Sequence, residues 1–183
     1  MHVDNPIEVG ADRIANGVAA FHKYGGPCVV VDFGTAISFD VISAKCEFLG
    51  GVIAPGIGIA AEALFSRTAR LPRVEIKDPG KVIGTNTVTN IQAGLYFGYV
   101  DMVDGTLARI KTEMKAEPVV VATGGQARLV ARGSKHIQHV DEFLTLTGLR
   151  YIWEKNQGAE SHHTTSEPAA GKAEISRMKK APR

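Results

Sequence analysis

The sequence predicts an α/β protein built on a mixed β-sheet, and three observations carry that reading. Two valine runs, "VVVDF" from Val29 and "VVVATGG" from Val119, lack polar alternation and read as strands buried on both faces. The first run leads through two tight connections into two further strand-like segments, so these three strands form an antiparallel meander. Beyond the meander, helical and strand-like stretches alternate, as they do where helices cover a sheet.

The elements follow in order. Ile14, Val18 and Phe21 mark one face of a first helix, and Gly25-Gly26-Pro27 ends it. Val29 to Phe33 is the first strand. Ile37, Phe39 and Val41 alternate with Ser38 and Asp40, as in a half-buried second strand. Ser43 to Lys45 turns the chain, and Phe48 to Ala54 is the third strand. A helix from about Gly58 to Arg67, an extended piece at Arg73 to Ile76 and a long helix from about Val88 to Lys115 come next. The second valine strand then runs into a glycine turn, followed by a short helix, a short strand and a final helix around Gly148 to Lys155. From Gln157 to Arg183 there is no aromatic residue and almost no large aliphatic one. Such a segment cannot bury enough surface to offset its ordering entropy. The expected division is therefore a domain over 1–156 and a disordered tail over 157–183. His162 and His163 fall in that tail and read as solvated, because metal ligands need fixed geometry.

Bulk properties exclude several classes. A formal net charge of +2, with no basic stripe interleaved with aromatics, argues against nucleic acid. No apolar run approaches the ~18 residues a membrane span needs, and no signal peptide is present. Cys28 and Cys46 show no pairing pattern and read as reduced thiols of a cytoplasmic protein.

Several motifs have a chemical reading beside a bland one. Asp32 ends a buried strand and enters the Gly34-Thr35 turn. Gly34 lets a phosphate approach the backbone, Thr35 offers an N–H and a hydroxyl, and Asp32 could hold a cation. A hairpin whose aspartate merely accepts turn hydrogen bonds would look the same. "DFG" does not make this a protein kinase, since no H-R-D loop accompanies it. Gly10, Ala11, Asp12 and Arg13 open the first helix. Asp12 there suits the helix dipole, but an anionic substrate with a hydroxyl would also suit this group. Arg13 would then meet its carboxylate and Asp12 would take its proton. "GIGIAA" from Gly56 matches the dinucleotide fingerprint, which would make the protein an oxidoreductase, but the preceding strand belongs to a meander rather than a βαβ unit. Gly124 and Gly125 end the second valine strand, where they could admit a nucleotide or simply turn the chain. Asn86 or Thr87 caps the long helix. Gly94, Gly98 and Gly105 within it cost helicity and are expected to permit close packing against another helix, such as one from a second subunit. There is no Walker A pattern.

Taken together, "DNPIEVGADRIANGVAA", "GGPCVVVDFGTAISFDVISAKCEFLGGVIAPGI", "VIGTNTVTNIQAGLYFGYVDMVDG", "VVVATGGQARLV" and "VDEFLTLTGLRYIWEKN" resemble type III pantothenate kinase, over about Asp4 to Asn156. The resemblance implies a ribonuclease-H-like domain of the actin and sugar-kinase superfamily, and phosphorylation of pantothenate by ATP with Mg2+, the entry step of coenzyme A synthesis. It further implies Asp12 as proton acceptor, Gly10, Ala11, Asp12, Arg13 and Thr87 as pantothenate contacts, and Thr35 with Gly34, Gly124 and Gly125 on the ATP side. Asp32 would be the ligand of a monovalent cation, K+ or NH4+, and the protein a homodimer. Family members carry an upstream domain of about one hundred residues with a D-x-G-N-T phosphate loop. This sequence begins just before the substrate motif and departs from the family there, so the chain alone is expected to lack activity. The family has also been described as a transcriptional accessory factor, which makes a non-catalytic partner protein the alternative.

Overall fold

The computed structural model describes residues 3–160. A 3-10 turn at Pro6–Glu8, fixed by the Asn5 side chain accepting from the Ile7 N–H, leads into α1, Ala11–Tyr24. The meander follows as β1, Cys28–Phe33, β2, Ala36–Ile42, and β3, Phe48–Pro55. Then come α2, Ile57–Arg67, and α3, Thr87–Met114. The chain ends with β4, Val119–Gly124, α4, Ala127–Ala131, β5, His139–Val140, and α5, Leu144–Glu160. The last helix therefore runs past Asn156, where the domain was expected to end. Residues 161–183, with the tail reading and His162 and His163, lie outside the described residues.

The sheet order is β3-β2-β1-β4-β5. β1 pairs antiparallel with β2, and β2 with β3, while β4 lies parallel to β1 and β5 parallel to β4. The mixed sheet expected from the sequence is thus present, with both valine strands at its centre. Side chains alternate across a strand, so the sheet sorts them onto two faces. Val29, Val31, Phe33, Ile37, Phe39 and Val41 point toward α3 and α4, where Leu95, Val103 and Leu107 complete the main core. Cys28, Val30, Ile42 and Val121 point the other way, toward Ala19 and Ala20 of α1 and Leu144 of α5.

Two expectations need correction. α1 buries Ala15, Asn16, Gly17, Ala19 and Ala20, whereas Ile14, Val18 and Phe21 are only half-buried. Helices packed as closely as α1 and α5 meet through small residues: a Cβ on Gly148 would lie 1.9 Å from the Ala15 carbonyl oxygen. Asp40 is fully buried rather than facing solvent from a half-buried strand, because α1 covers that face of β2. The piece read at Arg73 to Ile76 pairs with no strand of the sheet, and its Val74 and Ile76 rest on the main core.

Candidate active site

The carboxylates meet at one end of the sheet. β1 carries Cys28, Val30 and Asp32 on its α1-facing side, so the strand that builds the core also delivers Asp32 to the foot of α1. Asp32 is held there by an asparagine one helical turn after Asp12. Asn16, fully buried, donates from Nδ2 to Asp32 Oδ2 at 3.1 Å. The other oxygen, Oδ1, faces the two glycine turns. A Cβ on Gly124 would lie 2.7 Å from it, and one on Gly34 would lie 3.9 Å away. Gly124 also has a φ of +91°, so two independent constraints select glycine. Gly125 faces open space, and Gly34, Thr35 and Ala36 are exposed. The Gly34 N–H bonds the Ala36 carbonyl at 3.0 Å, and the Gly56 N–H bonds the Thr35 carbonyl at 3.0 Å, which seats the start of α2 on this turn.

Asp12 lies in the first turn of α1, exposed, with its carboxylate folded back over Gly10. No described side chain donates to it. Burial pushes the Asp32 carboxyl above the usual range; the Asn16 bond opposes this, and the charge of Asp12 adds to it. A carboxylate so placed favours whatever brings positive charge to Oδ1.

Arg13 stands differently from expectation. Its Nε and its terminal nitrogen both lie 2.6 Å from Asp40 Oδ1, and Ser38 donates to Asp40 Oδ2 at 3.2 Å. Even so, burial outweighs the guanidinium and raises the Asp40 carboxyl. Arg13 is therefore committed to a buried partner, with its guanidinium also 5.4 Å from the centre of the Phe48 ring. Thr87 is not brought to the carboxylates either. Asn86 caps α3, accepting from the Thr89 N–H at 3.0 Å, which leaves Thr87 exposed as the first helical residue on the opposite side of the sheet. Close by, a groove of about 470 Å3 is lined by Ile83, Gly84, Asn90, Gly94 and Gly98. Gly94, Gly98 and Gly105 have no neighbour within 4 Å of an added Cβ, so no helix among the described residues packs on them.

The dinucleotide reading fails on topology. The strand before Gly56 is the antiparallel edge of the sheet, not the first strand of a βαβ unit. Sequence reasoning missed Asn16 and Thr145. A usable signal existed for Asn16: an amide set one turn after Asp12, among alanines and glycine, must find a partner once buried. No group of three or more metal-ligating side chains occurs among the described residues. No helix there is long and apolar enough to cross a membrane.

The family model for type III pantothenate kinase matches residues 1–109. A type III pantothenate kinase of Koribacter versatilis is 66% identical over 157 residues, covering 86% of this chain and 57% of the relative. One of Solibacter usitatus is 60% identical over 153 residues, covering 84% of this chain and 59% of the relative. The chain thus spans less than two thirds of the length of these relatives. Two solved structures share the fold at low identity. One is a conserved Campylobacter jejuni protein assigned to the Baf family of transcriptional activators, with a TM-score of 0.61 and 24% identity over 86% of this chain and 70% of that one. The other is the activator of 2-hydroxyisocaproyl-CoA dehydratase from Clostridium difficile, with a TM-score of 0.52 and 13% identity over 86% and 71%. These neighbours share the mixed α/β sheet with flanking helices that the sequence predicts.

Proposed function

Because the chain belongs to the type III pantothenate kinase family, we propose that its carboxylate cleft binds pantothenate and the phosphates of ATP for transfer of the γ-phosphoryl group. The observation that carries this reading is Asp32 Oδ1, presented between the Gly34 and Gly124 turns with the Asp12 carboxylate close enough to raise it. Asp12 accepts the proton of the pantothenate hydroxyl as that oxygen attacks the γ-phosphorus, and the bond to ADP breaks. Phosphoryl transfer depends mostly on positioning and charge neutralisation, so few protein groups suffice. The turns at Gly34-Thr35 and Gly124-Gly125 supply backbone and hydroxyl contacts to the phosphates, which arrive with Mg2+. Asp32 Oδ1, a hard oxygen in a half-buried site, suits a monovalent cation such as K+ or NH4+. Such a cation would offset the phosphate charge.

Two further assignments belong to the same reading. Arg13 meets the pantothenate carboxylate only by sharing its guanidinium with Asp40, so its first role is to hold the helix entry on β2. Thr87, with the glycine-lined groove of α3, serves a site by way of a second copy of the chain, in a cytoplasmic homodimer.

Calorimetric titration of the chain with pantothenate, and with MgATP in potassium and in sodium buffer, tests the proposal. Asp32→Asn should weaken ATP binding and its potassium dependence while pantothenate binding holds. In a fusion that supplies the remaining family length from the Koribacter versatilis relative, Asp12→Asn should lower turnover by ~10²–10⁴-fold with the fold intact. Near-normal turnover in that folded variant, or identical ATP binding in both buffers, rejects the assignments.

A further inference from the structure

Asp32 is only as useful as its orientation. A carboxylate can turn either oxygen, or its edge, toward a cleft, and the half-buried Asp32 has no cation among the described residues to fix it. What fixes it is a short relay from the opposite helix. Thr145, in the first turn of α5, donates from Oγ1 to Asn16 Oδ1 at 2.7 Å. Asn16 donates from Nδ2 to Asp32 Oδ2 at 3.1 Å. With its carbonyl oxygen taken by a hydroxyl, the Asn16 amide has its NH2 group directed at the carboxylate. With Oδ2 taken by that NH2, Oδ1 is the oxygen left facing the Gly34 and Gly124 turns.

Packing sets the length of this relay. Gly148 stands three residues after Thr145, on the same face of α5. Its missing side chain lets α5 descend onto α1 at Ala15, where an added Cβ would overlap the carbonyl oxygen at 1.9 Å. That approach brings Thr145 within hydrogen-bond reach of the residue after Ala15. Asn16 is fully buried, and both of its polar atoms find their partners within the protein.

We propose that Asn16, held by Thr145, is a positioning residue that presents Asp32 Oδ1 to the phosphate and cation side of the cleft. α5 thereby reaches the site through Asn16. The functional half of this inference rests on the proposed kinase reading; the relay itself does not.

The test uses Thr145→Val, which keeps the shape and removes the donor, with Thr145→Ser as rescue and Asn16→Leu as the larger disruption. In the unliganded chain, the Asn16 side-chain amide signals in a ¹⁵N–¹H spectrum should shift and exchange faster in Thr145→Val, and return in Thr145→Ser. ATP affinity should fall about 3- to 10-fold in Thr145→Val, the effect expected of one lost hydrogen bond, with pantothenate affinity within about twofold. Amide signals that ignore Thr145→Val overturn the relay, whether or not the chain binds nucleotide. ATP and pantothenate affinities that fall together show a merely structural role and overturn the positioning. If the unaltered chain binds neither ligand, the kinase reading fails, and the amide signals still decide whether the relay holds.

Discussion

The two faces of the sheet are built on opposite plans. Toward α3 and α4, the strands show Val29, Val31, Phe33, Ile37, Phe39 and Val41, and a continuous apolar core fills the space beneath the long helix. Toward α1 and α5, the same strands show Cys28, Val30 and Asp32, then Ser38, Asp40 and Ile42. Their register partners on β4 include Val121 and Thr123. Here the apolar residues keep to the end of the sheet near Cys28, Asp32 lies toward the other, and Asp40 sits between them, opposite Val30. Large side chains hold α3 at a distance; alanines and glycines let α1 and α5 come close. The face with less apolar surface to bury is the one on which the proposed site lies, and buried hydrogen bonds from Asn16 and Arg13 hold its carboxylates Asp32 and Asp40 in place.

The sharpest way to break that contrast is to remove one large term from each face. Arg13→Ala strands the fully buried Asp40 without its guanidinium, and loss of one partner from a buried pair costs about 3–5 kcal/mol. Leu107→Ala, on the other face, removes a fully buried core side chain for about 2–5 kcal/mol. The losses are similar and their causes are not. Adding Asp40→Val to Arg13→Ala should recover most of the stability, since the stranded charge leaves with it, whereas the same change added to Leu107→Ala should only add damage. Denaturant midpoints of the four proteins check this. A double variant no more stable than Arg13→Ala alone would mean that the ion pair is not what holds α1 to β2.

Glycines separate the faces next. Gly148→Ala drives a Cβ into the Ala15 carbonyl and should cost about 1–3 kcal/mol, the usual range for overpacking. Gly98→Ala meets nothing within 4 Å and trades a poor helix former for the best, so the single chain should gain up to about 1 kcal/mol. If the α3 glycines serve a second copy, Gly98→Ala should also weaken self-association. Sedimentation across a concentration series, beside thermal melts, reads both effects. A variant that is stabler and associates unchanged would take the α3 stripe out of the interface.

How far the sequence reaches follows from the same contrast. On the α3 face, rules based on large apolar residues work: the valine runs are strands, the long helix starts at its Asn86 cap, and the meander forms as read. Asp12, Asp32, Gly34 and Gly124 also lie near one another at one end of the sheet. On the α1 face those rules fail. Ile14, Val18 and Phe21 looked like the buried side of α1, yet Ala15, Asn16, Ala19 and Ala20 are inside, because a helix pressed between a sheet and a second close helix buries its small residues. Asp40 looked exposed because alternation says which residues share a face and not what covers it. Arg13 looked available for the same reason, since its partner is 27 positions away and on another element. The Asn16–Thr145 bond spans 129 positions, and nothing local announces it.

The smallest expected effect lies at the far end of α1, where Lys23 reaches Asp141 at 2.7 Å, and Tyr24, stacked on His139, donates to the same oxygen at 3.1 Å. Burial works to raise the Asp141 carboxyl, but Lys23, the Phe143 N–H and Tyr24 together hold it below its ordinary value of 3.8. The hydrogen bond to Asp141 raises Lys23 above 10.5. A carboxylate lowered on folding contributes stability above its ordinary value and loses it as pH falls through the folded one. An amine raised on folding contributes below its ordinary value and loses it as pH rises through the folded one. The pair should therefore add a constant amount between roughly pH 4 and pH 10, and that amount is small. The Lys23 side chain is 46% exposed, and such pairs give about 0.2–1 kcal/mol. Asp32 and Asp40 run the opposite way, because burial raises both, and their charged forms lower stability as pH rises above 3.8. The acid limb of the whole protein mixes these signs, and only a difference separates them. Stability of the parent minus that of Lys23→Met, followed by urea unfolding from pH 7 downward, should stay flat to about pH 4 and then shrink toward zero as Asp141 takes up its proton. A difference that grows on the acid side would mean that the lysine acts through a group other than Asp141.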